Sequence, residues 1–425
     1  MTPHVLLLTL HDPAEFDFAG WLGASAAPGS LSLVVDRDGV TEAALAVLRA
    51  NPVFGFVRAY GNYLNNGNVY ADLDQLHRER PVTQVLAFGE DDVVRAARLR
   101  QRWGLPGQSV DNALGFRDKT LTRRRLESAG LPSHPAAALD HPLALLDFVG
   151  RHGLPVYVKP RTSSGSVFGR KLATPQELTR FLEEGFAPRI PYSEFVSDLC
   201  VEVFQPGRLH HIDGIAAGGG LAWAWPSRYL NEALEIGRLG QRDIVGSHMM
   251  SPDDPLFAPL VDYTARVCAQ LALPEGHSFH AEVFVNPGGR LSLCEIACRT
   301  GGGRINEALH RAGGPDLNRW QFLLQAGIAT ADDAVEGLRL CRPDRLCGWM
   351  LIPPQPGTCL EVPDFSGLDG IEASVLKIAP GGAGWARTFS GDSVGHLVVS
   401  GPTERRLRSN LQAAWAHLDA HLRFG

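Results

Sequence analysis

The sequence predicts a chain of mixed α/β and α+β architecture, built from several packed units, on three observations. The chain has 425 residues, which is more than one hydrophobic core usually organises. Its first part alternates short apolar runs with helical stretches, the pattern of a parallel sheet with helices on its faces. Beyond residue 340, short β runs precede one long helical stretch, which predicts a small mixed β unit at the C-terminal end.

Composition and charge narrow the possible classes of function. The formal net charge is −6 and no basic block occurs, so electrostatics give no case for binding nucleic acid or a membrane surface. No apolar run approaches the roughly 20 residues of a membrane span. The opening MTPHVLLLTL reads as a first buried strand, and seven cysteines without CxxC spacing suggest reduced thiols in a cytoplasmic protein.

Lysine is unusually scarce in this chain. Of 40 basic residues only four are lysines, at positions 119, 159, 171 and 377. A chain so biased toward arginine should retain lysine where the compact ammonium group of lysine suits a contact better than the planar guanidinium of arginine. Lys119 opens a predicted helix and Lys159 ends a predicted strand, so both are candidate phosphate contacts.

In chain order, the first predicted elements are strands at 5–10, 31–35 and 82–88 and helices at 41–50 and 92–103. No GxGxxG follows the first strand, which leaves a dinucleotide site without support. Gly89-Glu90-Asp91-Asp92 follows a strand at the carboxyl end, where open α/β sheets bind ligands. The alternative is a helix N-cap with acidic residues in its first turn.

A Ser/Gly segment, Thr162 to Gly169, follows the strand 156–158 and Lys159. Such a loop can fold its N–H groups over phosphates, and Ser163, Ser164, Gly165 and Ser166 add hydroxyl or close-approach positions. The alternative is an ordinary surface turn. It is not a Walker loop, because GxxxxGK[ST] occurs nowhere in the sequence.

The next predicted strands are 199–204 and 208–214, separated by Gln205-Pro206-Gly207. The end of the first strand offers backbone groups suited to an adenine edge. In the second, Leu209, His211 and Asp213 share a face, whereas His210 points to the other, so the two adjacent histidines are unsuited to one zinc ion. The strand 222–229 supplies a possible catalytic cation, Arg228.

A predicted hairpin, Phe279 to Ile296, carries two glutamates. With Asn286 opposite Gly289, Glu282 lies across from Leu293 and Glu295 across from His280, so the two carboxylates are diagonal neighbours on one face. Paired carboxylates suit Mg²⁺, which keeps waters and shares phosphate oxygens. A slip of one residue would put them on opposite faces. Arg299 and then Gly301-Gly302-Gly303 follow the hairpin. They place a permanently charged guanidinium next to backbone that no side chains cover.

Taken together, these motifs resemble the ATP-grasp superfamily over nearly the whole chain, and within it the L-amino-acid (dipeptide) ligase and carnosine-synthase-like group of carboxylate–amine ligases. The residues that carry the resemblance are Phe116-Arg117-Asp118-Lys119, Gly130-Leu131-Pro132, Val158-Lys159-Pro160, Val201-Glu202-Val203-Phe204, His211-Ile212-Asp213-Gly214, Phe279-His280-Ala281-Glu282-Val283-Phe284 and Glu295-Ile296-Ala297-Cys298-Arg299. It implies a Rossmann-like domain (1–115), two ATP-grasp subdomains (116–200 and 201–335) and a C-terminal α+β subdomain (336–425).

The resemblance also implies roles for single residues. Phosphate contacts would be Lys119, Lys159 and the loop Ser163, Ser164, Gly165 and Ser166; the adenine hinge would be Glu202, Val203 and Phe204. Ribose would be met by His211 or Asp213, since Leu209 stands where many relatives have an acid. Glu282 and Glu295 would hold Mg²⁺, with Mn²⁺ also possible, and Ala297 replaces an asparagine ligand of relatives. Arg299 with the Gly302 backbone would hold the substrate carboxylate or its phosphorylated form, and Arg228, taken from its strand position, is a further candidate catalytic residue.

The expected activity is ATP-dependent joining of a small carboxylate and an amine through an acyl phosphate, with ADP and phosphate released. The expected partners are these two small-molecule substrates, and a second copy of the chain is a further candidate partner. Glu90, His211 and His280 are candidates for the general base. Two alternatives remain open: carboxylation with bicarbonate, as in biotin carboxylase, and a nucleotide-binding protein without catalysis.

Overall fold

The computed structural model describes residues 3–163, 168–186, 198–231, 243–388 and 390–425. Its N-terminal part contains a parallel sheet of four strands, in the order β3-β2-β1-β4. Val5 and Leu7 pack into one core and Leu6 and Leu8 into another, because helices cover both faces of the sheet. The elements are β1 Val5–Thr9, α1 Phe18–Leu22, β2 Leu31–Asp36, α2 Glu42–Ala50, β3 Phe54–Tyr60, α3 Asn68–Glu79, β4 Gln84–Ala87 and α4 Asp92–Trp103.

A smaller antiparallel sheet follows, with the strand order β5-β8-β6-β7. Asp118 caps the helix before this sheet by accepting from the N–H groups of Thr120 and Leu121, which fixes Lys119 as the first helical residue. The elements are α5 Val110–Arg117, α6 Lys119–Ser128, β5 Ala136–Ala138, α7 Pro142–His152, β6 Val156–Pro160, β7 Arg170–Leu172, α8 Pro175–Glu184 and β8 Leu199–Val203.

The largest sheet has eight strands in the order β13-β12-β9-β10-β11-β14-β18-β16. Its first half and the helices around it are β9 Arg208–Ala217, β10 Gly220–Tyr229, β11 Val245–Met249, α9 Phe257–Gln270, β12 Ser278–Val285, β13 Leu291–Ala297, α10 Ile305–Arg311, α11 Leu317–Gln325 and α12 Ala331–Leu340.

The C-terminal strands continue this same sheet, so the predicted C-terminal β unit shares its hydrogen-bonded strands with the central one. The strand β11 pairs with β14, in a register that puts Ser247 opposite Trp349, and β18 and β16 follow outward. A pairing between segments so distant in sequence leaves no local signal. The elements are β14 Leu346–Ile352, β15 Gly357–Glu361, β16 Ile371–Leu376, β17 Ala383–Gly384, β18 Gly395–Gly401, α13 Glu404–His421 and β19 Arg423–Phe424.

Two further sequence expectations can be compared with the structure. All seven cysteines are free, as predicted. In the part of the chain that the structure describes, no helix combines the length and the apolar character needed to cross a bilayer.

Candidate active site

The hairpin formed by β12 and β13 places its two glutamates directly opposite each other. The turn has one residue more than predicted, because the Asn286 N–H donates to Arg290 O at 3.1 Å. A β-bulge then adds another residue: Val283 pairs with Leu293, but Glu282 pairs with Glu295. The predicted partners were therefore wrong. The longer turn and the bulge together move the partner of Glu282 by two residues, from Leu293 to Glu295. Because side chains alternate between the two faces of a strand, a shift of two residues keeps both glutamates on one face, as predicted.

The bulge at Cys294 is held by contacts from helix α6 and helix α9. Arg123 Nη2 donates to the Cys294 carbonyl oxygen at 2.5 Å, and the Leu293 N–H donates to the Tyr263 hydroxyl at 2.9 Å. These bonds satisfy groups that the irregular ladder leaves without a strand partner. The position of Glu295 thus depends on residues outside the hairpin.

Glu282 lies in a polar but enclosed setting. Its carboxylate accepts a hydrogen bond from the Tyr229 hydroxyl, and His280 Nε2 lies 3.8 Å away. Burial raises the pKa of Glu282, but hydrogen bonds and charge from His280, with the Tyr229 bond, lower it overall below its ordinary value. The side chain is therefore an anion at neutral pH, as a cation ligand must be.

Lys119 joins the second glutamate to the Ser/Gly segment. Its Nζ lies 3.2 Å from Glu295 Oε2 and donates to the carbonyl oxygen of Ser163 at 2.6 Å. These three residues line the same narrow cleft. The structure thus brings together one predicted lysine, one predicted metal ligand and the start of the predicted loop. Ser164, Gly165 and Ser166 lie outside the described residues.

Lys159 is buried and paired with Glu202 of strand β8. Their charged atoms are 2.7 Å apart, and His134 Nε2 and Arg123 Nη2 lie 3.2 and 3.7 Å from the other oxygen of Glu202. Burial raises the pKa of Glu202, but Lys159 and His134 bring it well below its ordinary value. Arg123 and His134 were not singled out from the sequence, because nothing in their local pattern shows that they meet Glu202.

The predicted adenine hinge already uses two of its N–H groups. Val203 N–H donates to Pro135 O at 3.1 Å, and Phe204 N–H donates to Pro155 O at 3.2 Å. The Val203 carbonyl oxygen accepts from the Gln205 side chain at 3.1 Å. Adenine recognition through the N–H groups of Val203 or Phe204 would have to displace these bonds.

Arg299 contacts the N-terminal sheet rather than standing free beside the glutamates. Its Nε lies 2.6 Å from Glu90 Oε2, and Arg117 Nη1 lies 2.6 Å from the other oxygen. Burial raises the pKa of Glu90, but Arg299 and Arg117 overcome this and lower it to about 2. Such a weakly basic carboxylate is poorly suited to the role of general base, which corrects one candidate. A Cβ added at Gly302 would have no atom within 4 Å, so the backbone there borders open space.

His211 and Asp213 are fully buried, which argues against the predicted contact of either residue with ribose. The Asp213 carboxylate bonds His211 Nδ1 at 2.5 Å and His280 Nδ1 at 2.8 Å, and His211 Nε2 lies 2.8 Å from Ser247 Oγ. Their shared face is as predicted, but this face is covered. A Cβ on Gly301 would lie 2.4 Å from Asp213 Oδ1, so the glycine turn packs on the network. The same burial makes His211 and His280 poor candidates for a base that meets substrate.

Arg228 lies on the other face of the large sheet from Glu282, so the strand register gives its predicted catalytic role no support. It pairs in register with His210, whereas Glu282 pairs with His211, and neighbouring residues of a strand face opposite sides. Its guanidinium binds Glu404 and lies 2.6 Å from Asp254. Arg228 lines a separate cavity of about 1180 Å³ next to α13. The sequence alone identifies a cation on β10 but not the strand register, which decides the face of the sheet on which that side chain lies. The residue of β10 that contacts Glu282 is the next one along the strand, Tyr229.

Comparison with known proteins supports the same family of folds. No family model matches the chain. A curated relative, the L-arginine-specific L-amino acid ligase of Bacillus subtilis, is 22% identical over 253 residues, which are 58% of this chain and 58% of that protein. The chain therefore spans less than two thirds of the length of this relative.

Solved structures match over nearly the full length. The L-amino acid ligase from Bacillus licheniformis has a TM-score of 0.74 and 15% identity, and the match covers 100% of this chain and 98% of that one. Phosphoribosylglycinamide synthetase from Anaerococcus prevotii has a TM-score of 0.68 and 11% identity, with 98% of both chains covered. The biotin carboxylase domain of 2-oxoglutarate carboxylase from Hydrogenobacter thermophilus, solved with MgADP, ADP and bicarbonate, has a TM-score of 0.66 and 15% identity over 100% and 91%. The chain has the fold of the ATP-grasp enzymes, and the predicted resemblance is confirmed.

Proposed function

We propose that this chain is an ATP- and Mg²⁺-dependent ligase that joins a carboxylate to an amine. The observation that carries the proposal is the facing pair Glu282 and Glu295, with Lys119 3.2 Å from Glu295. The similarity to two L-amino acid ligases favours small amino acids or related acids as the substrates.

The two glutamates fit a hard divalent cation. They offer carboxylate oxygens from adjacent strands, and their side chains remain 14% and 30% exposed, so waters and phosphate oxygens can complete the shell. Mn²⁺ suits the same donors. Ala297 has no donor, which leaves the protein with these two ligands on the hairpin. When bound, the cation supplies charge neutralisation at the phosphates of ATP.

The residues of the chain supply positioning and further positive charge. A carboxylate is a poor acyl donor until the γ-phosphoryl group of ATP is transferred to it, and this transfer depends mainly on positioning and charge neutralisation. Lys119 and Lys159 would contact phosphate oxygens, with Ser163 bound to Lys119 beside them. Arg299 and the open backbone at Gly302 would hold the carboxylate and the oxyanion of the second step. Losing one such contact costs about 3 kcal/mol, or on the order of a hundredfold in rate.

A coupled assay tests this function directly. Purified protein should release ADP and phosphate only when a carboxylate and an amine are both present, and a mass-spectrometric screen of amino-acid pairs should reveal the joined product. Glu295→Gln serves as the inactive control. Release of AMP and pyrophosphate would overturn the acyl-phosphate route.

Carboxylation is a second candidate, because the chain also matches a biotin carboxylase domain solved with bicarbonate. A strict requirement for bicarbonate would favour it over amide formation. A third candidate, nucleotide binding without catalysis, would be favoured by tight ATP binding with no turnover across the panel. The four-unit division at residues 115, 200 and 335, a cytoplasmic location and a homodimer stay predictions.

A further inference from the structure

Two ion pairs tie the N-terminal sheet to the glycine turn of the candidate site. Glu90 binds Arg299 at 2.6 Å, and Glu15 binds Arg304 at 3.0 Å. His11 lies four residues before Glu15, and the charged groups that act on its ring are those of Arg299, Glu15, Arg304 and Asp91. An imidazole therefore lies at the seam where Arg299 would hold a substrate.

The position of His11 is fixed by the end of strand β1. Its backbone N–H donates to Thr9 Oγ1 at 2.9 Å, and a Cβ on Gly89 would lie 3.6 Å from the Leu10 nitrogen. The turns after β1 and β4 thus run side by side, at the carboxyl edge where open α/β sheets bind ligands. The residue as a whole is exposed although its ring is partly desolvated, and among the described residues no hydrogen bond or ion pair to the ring is found.

The second half-reaction needs a base that the earlier candidates do not supply. An amino acid reaches the enzyme as an ammonium, which has no lone pair for attack on an acyl carbon. Glu90 is held by two arginines, and His211 and His280 are bound to the buried Asp213. Asp91 is paired with Arg117 at 2.8 Å. In the described part of the chain, neither ring nitrogen of His11 is bound to a protein group.

We propose that His11 is the general base that deprotonates the incoming amine, an inference that rests on the proposed ligase function. A ring nitrogen of His11 takes one proton from the ammonium, and the freed lone pair forms the C–N bond to the acyl carbon. The bond from that carbon to the phosphate oxygen breaks, and phosphate leaves with the electron pair. The second proton lost by the nitrogen leaves with phosphate, and His11 returns its own proton to solvent.

The charges around His11 agree with this role. Desolvation of the ring, and then the positive charges of Arg299 and Arg304, lower the pKa of His11, while Glu15 and Asp91 act in the opposite direction. The ring is therefore neutral at physiological pH and able to accept a proton.

The test compares two nucleophiles with one acyl donor. Hydroxylamine is already unprotonated at neutral pH and traps the acyl phosphate as a hydroxamate, whereas an amino acid acceptor needs a base. For His11→Gln, amide formation should fall roughly 10²- to 10⁴-fold, and far more than hydroxamate formation falls. Raising the pH or adding imidazole should restore part of the amide rate.

His152→Gln is the matched control, because His152 is an exposed histidine on α7, away from the seam. An amide rate of His11→Gln equal to that of His152→Gln would overturn the assignment, as would an equal loss of amide and hydroxamate. Absence of any hydroxamate with wild-type protein would instead reject the ligase function itself, so the two failures are distinguishable.

Discussion

Glu282 and Glu295 face each other across the hairpin because strand β13 contains one extra residue, Cys294, whose carbonyl oxygen is bound by Arg123. The paired carboxylates are thus set by the bulge and by a helix from another part of the chain. This relationship connects the nucleotide side of the site to helix α6, which also begins with Lys119.

The carboxylate pair should be essential for turnover. Glu282→Gln and Glu295→Gln keep the shape of the side chain but remove a negative charge, so ADP release should fall on the order of a hundredfold or more. Glu183→Gln, an exposed substitution on α8, should retain the wild-type rate. Steady-state rates with ATP, acid and amine measure this, and full activity in either hairpin variant would argue against a metal role.

Glu202 should contribute strongly to stability as well as to nucleotide binding. Glu202→Gln leaves Lys159, Arg123 and His134 without their shared buried anion, which should cost about 3–5 kcal/mol of unfolding free energy. The exposed pair of Arg170 with Glu184, 3.8 Å apart, provides the control, since Glu184→Gln should cost about 0–1 kcal/mol. Urea unfolding compares the two variants, and equal losses would contradict the prediction.

Glu90 should make stability depend on acid. Its folded pKa of about 2 lies below the ordinary 4.5, so its contribution is present above pH 4.5 and is lost as the pH falls toward 2. The shift corresponds to roughly 3 kcal/mol at neutral pH. The difference in unfolding free energy between wild type and Glu90→Gln should therefore shrink between pH 4.5 and pH 2, and a difference independent of pH would refute this explanation.

Two neighbouring glycines should respond differently to alanine. A Cβ at Gly301 would lie 2.4 Å from Asp213 Oδ1, whereas a Cβ at Gly302 meets nothing within 4 Å. Gly301→Ala should cost about 1–3 kcal/mol through overpacking, and Gly302→Ala should leave the thermal midpoint unchanged. Thermal unfolding of both variants checks the packing of the glycine turn on the histidine–aspartate network.

Substitution of the two arginines predicted to act on the substrate should have different effects on kcat. Arg299→Gln should reduce kcat strongly, because Arg299 lies at the candidate site beside Glu90. Arg228→Gln should lower the thermal midpoint, because it breaks contacts to Glu404 and Asp254 on the reverse face, and should leave kcat unchanged. A large loss of kcat in Arg228→Gln would restore its catalytic role.

Local patterns were sufficient to predict several parts of this molecule. The alternation in β12, the Asn-Pro-Gly-Gly turn and the scarcity of lysine identify Glu282, Glu295 and Lys119 without knowledge of the fold. Each depends on residues close in sequence or on composition. The strand β3 was missed because FGFVRAY interrupts its apolar run with glycine and arginine.

Features that depend on distant segments could not be predicted in this way. The bulge at Cys294, the face of Arg228 and the burial of Asp213 follow from pairings with other strands and from the helices that cover them. The ion pair between Glu90 and Arg299 joins two units of the chain, so neither residue shows its partner in its own neighbourhood. His11 was missed for the same reason.

Strand β14 is an interior member of the eight-stranded sheet, hydrogen-bonded to β11 on one side and β18 on the other. A shortened protein ending near residue 335 would expose the whole ladder edge of β11 to solvent, and such an edge invites pairing with other copies and aggregation. Any shortened or exchanged version of this chain must therefore keep the C-terminal strands together with β11, the strand with which β14 pairs.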